Sequence, residues 1–483
     1  MNYEVVIGLE VHAHLDTASK MFCGCANAFG AEPNTNVCPV CLGMPGVLPV
    51  VNERAFAFGL RTALGLNCTV PAVTRFDRKN YYYPDLPKNY QISQNYNCLG
   101  TDGAIEIVVG DGAKTVGIDN VHLEEDAGKN IHSETLRPGE EPYTLVDLNR
   151  AGVPLLEIVS KPDMRSVDEA NAYMHTLRQL LIYLGVSQAR MERGQLRFEA
   201  SVSLRPVGRE ALGSRVEIKN LNSIKAVHDS LTHEIERQSK ALDAGETVAM
   251  ETRLWDEAAG RTQRMRSKEQ AHDYRYFPEP DLVPVEVTEA MREQERSAIP
   301  ELPAQRWRRF IDDLGLPAYD AGVLTADKDV ADYFEAVVAR VPDEPKQASN
   351  FVMGEVMSEL NERKIAITEF PVPAEALGEL IGLVKGGTVS ISVARERVFP
   401  VMVAEGKPPK QVIEEQGLVQ ISDTGELEGV IDQVLAANPD PVADFKAGKK
   451  QAVGFLVGQV MRATKGKANP QMVNNLLRQR LSG

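Results

Sequence analysis

The stretch LRFEASVSL, Leu196 to Leu204, alternates apolar and polar residues without a break. Side chains two apart on a strand share a face, so Leu196, Phe198, Ala200, Val202 and Leu204 turn inward while Arg197, Glu199, Ser201 and Ser203 turn out. The same parity runs through EVVIGLEVH, Glu4 to His12, where Val5, Ile7, Leu9 and Val11 share one face and Glu10 and His12 the other. In RVEIK, Val216 and Ile218 point inward, whereas Arg215, Glu217 and Lys219 point out. A fourth segment, HLEEDAGK from His122 to Lys129, follows the strand-like VGIDNV. Several strands thus deliver carboxylates and one imidazole to a single polar surface. Hard oxygen ligands gathered in this way suit Mg²⁺ carrying nucleotide phosphates.

Helical periodicity appears between and after these strands. Ser166 and Glu169 have capping-box spacing ahead of Tyr173, Leu177, Leu180, Leu181 and Leu184, and a second helix is predicted from Ile224 to Leu242. The proline-rich PEPDLVP, Pro278 to Pro284, closes the strand-rich part. From about Pro300 the pattern is helical, and Asn469-Pro470 reads as an N-cap and first helical position. The expected fold class is α+β. Its domains are a strand-rich one over 1–294, a helical one over 295–405 and a small helical tail over 406–483.

FDRKNYYYPDLPKNYQISQ, Phe76 to Gln94, interleaves charged side chains with four tyrosines, and Pro84 and Pro87 prevent a single regular element. That composition suits a polar binding site. Cys23, Cys25, Cys38 and Cys41 form C-x-C and C-x-x-C pairs, the pattern of a closed, structural Zn²⁺ knuckle over 23–41. No GxxxxGK[ST] loop, no protein-kinase signature and no GxSxG elbow is present. A phosphate-handling site here would depend on metal and basic side chains, and nucleophilic hydrolysis is not indicated.

The formal charge of −15 argues against general adhesion to nucleic acid. From Phe445 to Gly483, however, there is no Asp or Glu and eight Lys or Arg, which leaves −23 on the rest. An acidic body with a basic tail is expected where the tail meets a phosphate backbone. No apolar run approaches a membrane span, and the first residues enter a strand pattern directly, so a cytoplasmic location is expected.

The motifs VIGLEVH, MFCGC, EPNTNVCPVCLGMPGVLPV, FDRKNYYYPDLPKNYQISQ, HLEEDAGK, VDLNRAGVPLLEIVS, KNLNS, DYRYFPEPD, LGLPAYDAGVLT and VGFLVGQVMRATKGKANPQ closely resemble the B subunits of glutamyl/aspartyl-tRNA amidotransferases. The resemblance covers nearly the whole chain in order. It implies a cradle with a mainly antiparallel sheet, akin to glutamine synthetase, then an all-helical domain and a YqeY-like tRNA-binding tail. It also implies a ligase that forms carbon–nitrogen bonds. ATP and Mg²⁺ would phosphorylate the side-chain carboxylate of Glu on tRNA(Gln) or Asp on tRNA(Asn). Ammonia from glutamine, channelled from an amidase A subunit, would then displace phosphate, with a small C subunit completing a heterotrimer.

On that resemblance Glu10, His12 and Glu125 match the family's metal site, and Glu217 matches the acid of its TELKNLNS motif. Lys79 is a candidate for touching phosphate or gating ammonia. Glu199, a candidate ligand with Glu217, stands where the family commonly has Asp, in MERGQLRFEASVS against MEEGSLRCDANVS. Strand parity groups Glu124 with His122, while the resemblance points to Glu125. The alternative function is a non-catalytic, zinc-containing tRNA-binding scaffold. The archaeal paralogue that carries an inserted synthetase-like domain does not fit, because only a short charged segment separates PEPDLVP from ELPAQRW.

Overall fold

In a computed structural model of the chain, the described residues are 3–110, 112–132, 143–267, 273–420, 424–446, 449, 451–464 and 466–482. Lys450 and Lys465 of the basic tail lie outside them. The chain divides into two compact units, Met1–Ala304 and Gln305–Gly483.

An eight-stranded sheet organises the first unit. Its strands are β1 (Tyr3–His14), β2 (Gly100–Val109), β3 (Gly112–Glu125), β4 (Pro154–Ser160), β5 (Leu196–Pro206), β6 (Val216–Leu221), β7 (Glu251–Asp256) and β8 (Arg261–Ser267). Their order is β8-β7-β6-β5-β1-β4-β3-β2, and every neighbouring pair is antiparallel except β6 and β7. β1 and β5 register Leu9 with Ala200, Glu10 with Glu199 and His12 with Arg197. The alternation seen in both sequences therefore falls in phase. Ile7, Leu9, Val11, Phe198, Ala200 and Val202 are buried on one face.

Three helices cover that face: α1 (Glu53–Gly65), α2 (Val167–Tyr183) and α3 (Ile224–Asp243). Each begins at a side-chain cap, with Asn52, Ser166 and Ser223 accepting from the N–H of the residue three on. Such caps satisfy N–H groups that have no partner in the helix. Glu169 accepts the Arg165 N–H at 2.6 Å rather than that of Ser166, so the expected capping box closes one residue early. A fourth helix, α4 (Glu289–Ser297), packs on α1, and Glu295 meets the Arg61 guanidinium at 2.8 Å. The expected boundary at 294 falls inside this helix.

The second unit is helical and holds two apolar clusters. One gathers residues from Phe310 to Leu418 and the other from Leu427 to Leu481. Asn469 caps the last helix, Pro470–Ser482, by accepting from Gln471 and Met472 at 2.9 and 3.2 Å. Among the described residues no helix is long and apolar enough to cross a membrane.

Candidate active site

The face of the sheet away from the helices collects the charged residues, and strand register arranges them in rows. His122 of β3 lies opposite Glu157 of β4, Glu157 opposite His12 of β1, and His12 opposite Arg197 of β5. One two-residue step along, Glu10 lies opposite Glu199. Glu217 of β6 lies opposite Ser201, a further step along β5.

Glu157 is the hub of the first row. His12 Nε2 and His122 Nε2 both stand 3.3 Å from its Oε2, and His12 Nε2 is 3.8 Å from Glu124 Oε1. Ligand atoms of His12, Glu124 and Glu157 lie within 4.8 Å of one another, close enough to share one cation. Ser93 Oγ donates to Glu124 at 3.3 Å and His122 Nδ1 meets Asn120 Oδ1 at 2.8 Å, which orients both groups.

Cations balance these acids. Burial disfavours the charged His12 ring, but Glu157, Glu124 and Glu199 outweigh it and push its pKa up to about 9. His122 is raised for the same reason, while the two imidazoles hold buried Glu157 well below the usual carboxylate range. Glu10 is raised by burial and then by Glu157, Glu199 and Glu217. Lys219 reaches Glu199 at 2.6 Å, and Arg215 reaches Glu217 at 3.0 Å.

Lys79, on the short strand Asp77–Asn80, is brought to the same place. It lines a cavity of about 290 Å³ with His12, Tyr81, Glu124, Arg197 and Glu199. Burial opposes its charge, but Glu124, Tyr276 and Glu157 keep it firmly protonated. Its ammonium lies 5.3 Å from the centre of the Tyr274 ring. The strand Phe277–Pro278 pairs with Asp77–Asn80 and so brings DYRYFPEPD against the tyrosine-rich segment. Tyr82 and Tyr83, by contrast, are exposed.

Glu125 is not brought beside His12. As the next residue on β3 after Glu124 it takes the opposite parity. Its carboxylate pairs with Lys88 and accepts the Ile92 N–H at 3.0 Å. It lines a separate cavity of about 190 Å³ with Phe22, Cys41 and Lys88. The structure therefore groups Glu124, not Glu125, with His12, and the alternation of the strand is the reason.

Cys23, Cys25, Cys38 and Cys41 do converge, their Sγ atoms all within 4.8 Å of one another. Tetrahedral Zn–S bonds of about 2.3 Å require sulfur separations of about 3.8 Å, which the Cys38–Cys41 distance of 3.9 Å already approaches. The surroundings favour a thiolate at one of the four, Cys41, while burial and the neighbouring thiols raise Cys23 and Cys25. A hydrogen bond from Cys23, the Cys38 N–H and the Lys20 ammonium draw the Cys41 thiol down to about 4. Lys20 is fully buried, with Nζ 3.7 Å from Cys41 Sγ and 2.9 Å from the Asn36 carbonyl. A buried ammonium requires a negative partner, so the donor set fits a four-thiolate Zn²⁺ site.

The basic tail is more balanced than its composition implies. Arg480 pairs with Glu428 at 2.9 Å and Asp432 at 3.4 Å, and Lys449 with Asp444 at 2.9 Å. All three acids precede Phe445, where the acid-free segment begins.

Sequence reasoning missed Glu157 and Asp126; it turned Arg197 and Lys219 to the polar face and grouped His122 with Glu124, but gave none of the three a role. A signal for Glu157 was present: PLLEIVS, Pro154 to Ser160, places one acid inside an otherwise apolar run.

Compared with known families, the chain matches the GatB/GatE catalytic domain over residues 5–293 and the GatB domain over 332–481. It is 56% identical over 481 residues to a Moorella thermoacetica protein named as the B subunit of aspartyl/glutamyl-tRNA(Asn/Gln) amidotransferase, covering 100% of both chains. Proteins of that name from Carboxydothermus hydrogenoformans and Persephonella marina are 50% and 49% identical, with 99% and 100% of each chain covered.

Proposed function

This chain belongs to the GatB/GatE family, and from that premise we propose that it is the B subunit of a tRNA amidotransferase whose sheet face activates a carboxylate for amidation. Its substrates are the side chains of Glu on tRNA(Gln), Asp on tRNA(Asn), or both. A carboxylate is a poor acyl donor because its leaving group would be oxide. One of its oxygens attacks the γ-phosphorus of ATP, the bond to the β–γ bridging oxygen breaks, and ADP departs with that electron pair. Ammonia then attacks the acyl carbon, phosphate leaves with its bonding pair, and the nitrogen loses a proton.

The chemistry needs positioning and charge neutralisation rather than a covalent catalyst. His12, Glu124 and Glu157 would hold Mg²⁺, with Glu10, Glu199 and Glu217 further along the same face. Bound Mg²⁺ supplies neutralisation of phosphate charge. Lys79 and Arg197 face the cavity where the transferred phosphoryl group and the substrate carboxylate would meet. The observation that carries the reading is this convergence of two carboxylates and an imidazole, ringed by cations, on an open sheet face.

Zn²⁺ on the four cysteines would fix the loop before α1. The partners are an ammonia-supplying A subunit and a small C subunit. Cations of the tail such as Lys467 and Arg478 would meet the tRNA backbone, and the setting that goes with these substrates is the cytoplasm. The test is phosphate release from ATP by the assembled three-subunit complex on misacylated tRNA. Loss of release in Glu124→Gln is expected; unchanged release would support the scaffold alternative instead.

A further inference from the structure

We propose that Arg197 grips the substrate carboxylate that is to be activated, and that buried Asp126 is the positioning residue that aims its guanidinium. This rests on the reading of the open face as a phosphoryl-transfer site and names the group that holds the acceptor there. HLEEDAGK, His122 to Lys129, sets three acids in a row. Extended backbone turns them alternately to two sides. Glu124 joins His12, and Glu125 turns away to Lys88. Asp126 comes back to the cavity of about 290 Å³ that Glu124 also lines.

Asp126 is 6% exposed and is held at each of its polar atoms. Its N–H donates to the Val153 carbonyl at 2.8 Å, its carbonyl accepts from Gly152 at 2.9 Å, and Oδ1 accepts the Ala127 N–H at 2.9 Å. Oδ2 faces cations: Arg197 Nη2 at 2.8 Å, His14 Nε2 at 2.7 Å and Arg150 Nε at 3.4 Å. Arg150 is itself tied, donating to the Ala127 and Gly128 carbonyls at 3.0 and 2.6 Å. A carboxylate anchored on so many sides does not follow a mobile partner; it fixes the partner. Arg197 stands on β5 opposite His12 of β1, and it lines the cavity with Lys79, Tyr81 and Glu124. A guanidinium carries five N–H donors in one plane, and the bond to Asp126 engages one terminal nitrogen. An oriented planar fork suits a carboxylate, which accepts two parallel hydrogen bonds. Asp126 has already removed the rotamer freedom that a loose arginine would lose on gripping a ligand.

Lys79 is the rival for the carboxylate, since it faces the same cavity. Burial opposes its charge, and Glu124, Tyr276 and Glu157 sustain it. Two of those three also belong to the group within reach of one cation. A divalent ion bound there would draw Glu124 and Glu157 away from the ammonium. Arg197 pairs instead with Asp126, which stands outside that group, so its aim does not change when the ion arrives. A compact ammonium also offers no fork. Lys79 therefore suits phosphate, and Arg197 suits the acceptor.

Filter binding by the assembled three-subunit complex, without ATP, tests the assignment free of turnover. Glu-tRNA(Gln) and its amidated product Gln-tRNA(Gln) differ only in a carboxylate against a carboxamide. The wild-type complex should bind the acid about tenfold or more tightly than the amide. Arg197→Gln should bring the two within about twofold. Asp126→Asn should remove most of the preference although Arg197 is still present. Affinity for the amidated product, equal in all three proteins, reports that each has folded. If Asp126→Asn does not assemble, Asp126→Glu, which keeps the charge but moves it by a methylene, should reduce the preference in its place. A wild type with no preference, or a preference kept in Arg197→Gln, would overturn the clamp. A preference lost in Arg197→Gln but kept in the Asp126 variants would overturn the positioning role. The phosphoryl-transfer reading survives either result so long as Glu124→Gln abolishes phosphate release. If Glu124→Gln releases phosphate normally, that reading falls, whatever the binding preference shows.

Discussion

Two clusters of the first unit hold buried charge by different means. At the thiol cluster, four ligands come from one loop, and a single buried ammonium, Lys20, stands beside the sulfurs. On the sheet face, acids arrive from β1, β3, β4, β5 and β6, and His12, His122, Lys79, Arg197 and Lys219 are set against them. A closed four-thiolate site leaves no position for a substrate. The sheet face is open, and its positive charge is partly imidazole protons, which an arriving metal can displace. On the proposed reading, the closed and local cluster serves structure and the open and distributed one serves exchange.

The sharpest way to break this contrast is to remove one acid from the open site. Glu124→Gln should lower ATP-dependent phosphate release by about 10³-fold, a loss of about 4 kcal/mol in transition-state stabilisation. Mn²⁺ affinity read by electron paramagnetic resonance should fall with it. Glu125→Gln should leave Mn²⁺ affinity nearly unchanged, since that carboxylate serves Lys88. Equal loss of Mn²⁺ in both variants would mean that strand parity had been misjudged at this position.

Next comes the closed site. Cys41→Ser should release about one Zn²⁺ per chain and destabilise the first unit by about 3 kcal/mol or more, read as an earlier urea midpoint. Mn²⁺ affinity measured at low urea should not change. If it falls as far as in Glu124→Gln, the two clusters are one functional unit and the contrast fails. A smaller effect is expected from Lys20→Met, which keeps the stem and removes the charge beside Cys41. Zinc affinity should drop about 10- to 100-fold, measured by competition with a chromophoric chelator.

The same contrast explains what could be read in advance. Four cysteines within one loop announce themselves by spacing, because ligands close in sequence must be close in space. β1 and β5 were legible because strict alternation fixes which side chains share a face. Which strands neighbour each other is a long-range matter, and PLLEIVS has apolar residues on both faces, so Glu157 passed unnoticed. His122 was grouped with Glu124 by parity, but its pairing with Glu157 was not visible until β3 and β4 were registered. At Glu124 and Glu125 strand parity already set the two apart, and it was the resemblance that pointed to Glu125. The tail erred in the other direction: a count from Phe445 onward omitted Glu428, Asp432 and Asp444, which fold back against Arg480 and Lys449.

The smallest effect concerns the rim of the open site. Asp126 is buried, accepts from Arg197 at 2.8 Å and meets His14 at 2.7 Å and Arg150 at 3.4 Å. Burial alone would raise its pKa, but Arg197, His14 and Arg150 hold it well below the ordinary carboxylate range. A carboxyl depressed on folding contributes stability at pH values above its unfolded pKa of about 3.9, and that contribution is lost as pH falls below it. Asp126→Asn should therefore cost about 2 kcal/mol at pH 7, the size of a hydrogen bond to a charged group. The gap between variant and wild type should hold to about pH 5 and narrow from there to pH 3 in urea titrations. Among the described residues no carboxylate pairs with Lys20, whose ammonium meets the Asn36 carbonyl and Cys41 Sγ, so Lys20→Met should show no matching trend over that interval. A cost for Asp126→Asn that stayed constant down to pH 3 would show that Asp126 is held by shape alone, and that the cations around the open site do not stabilise its charge.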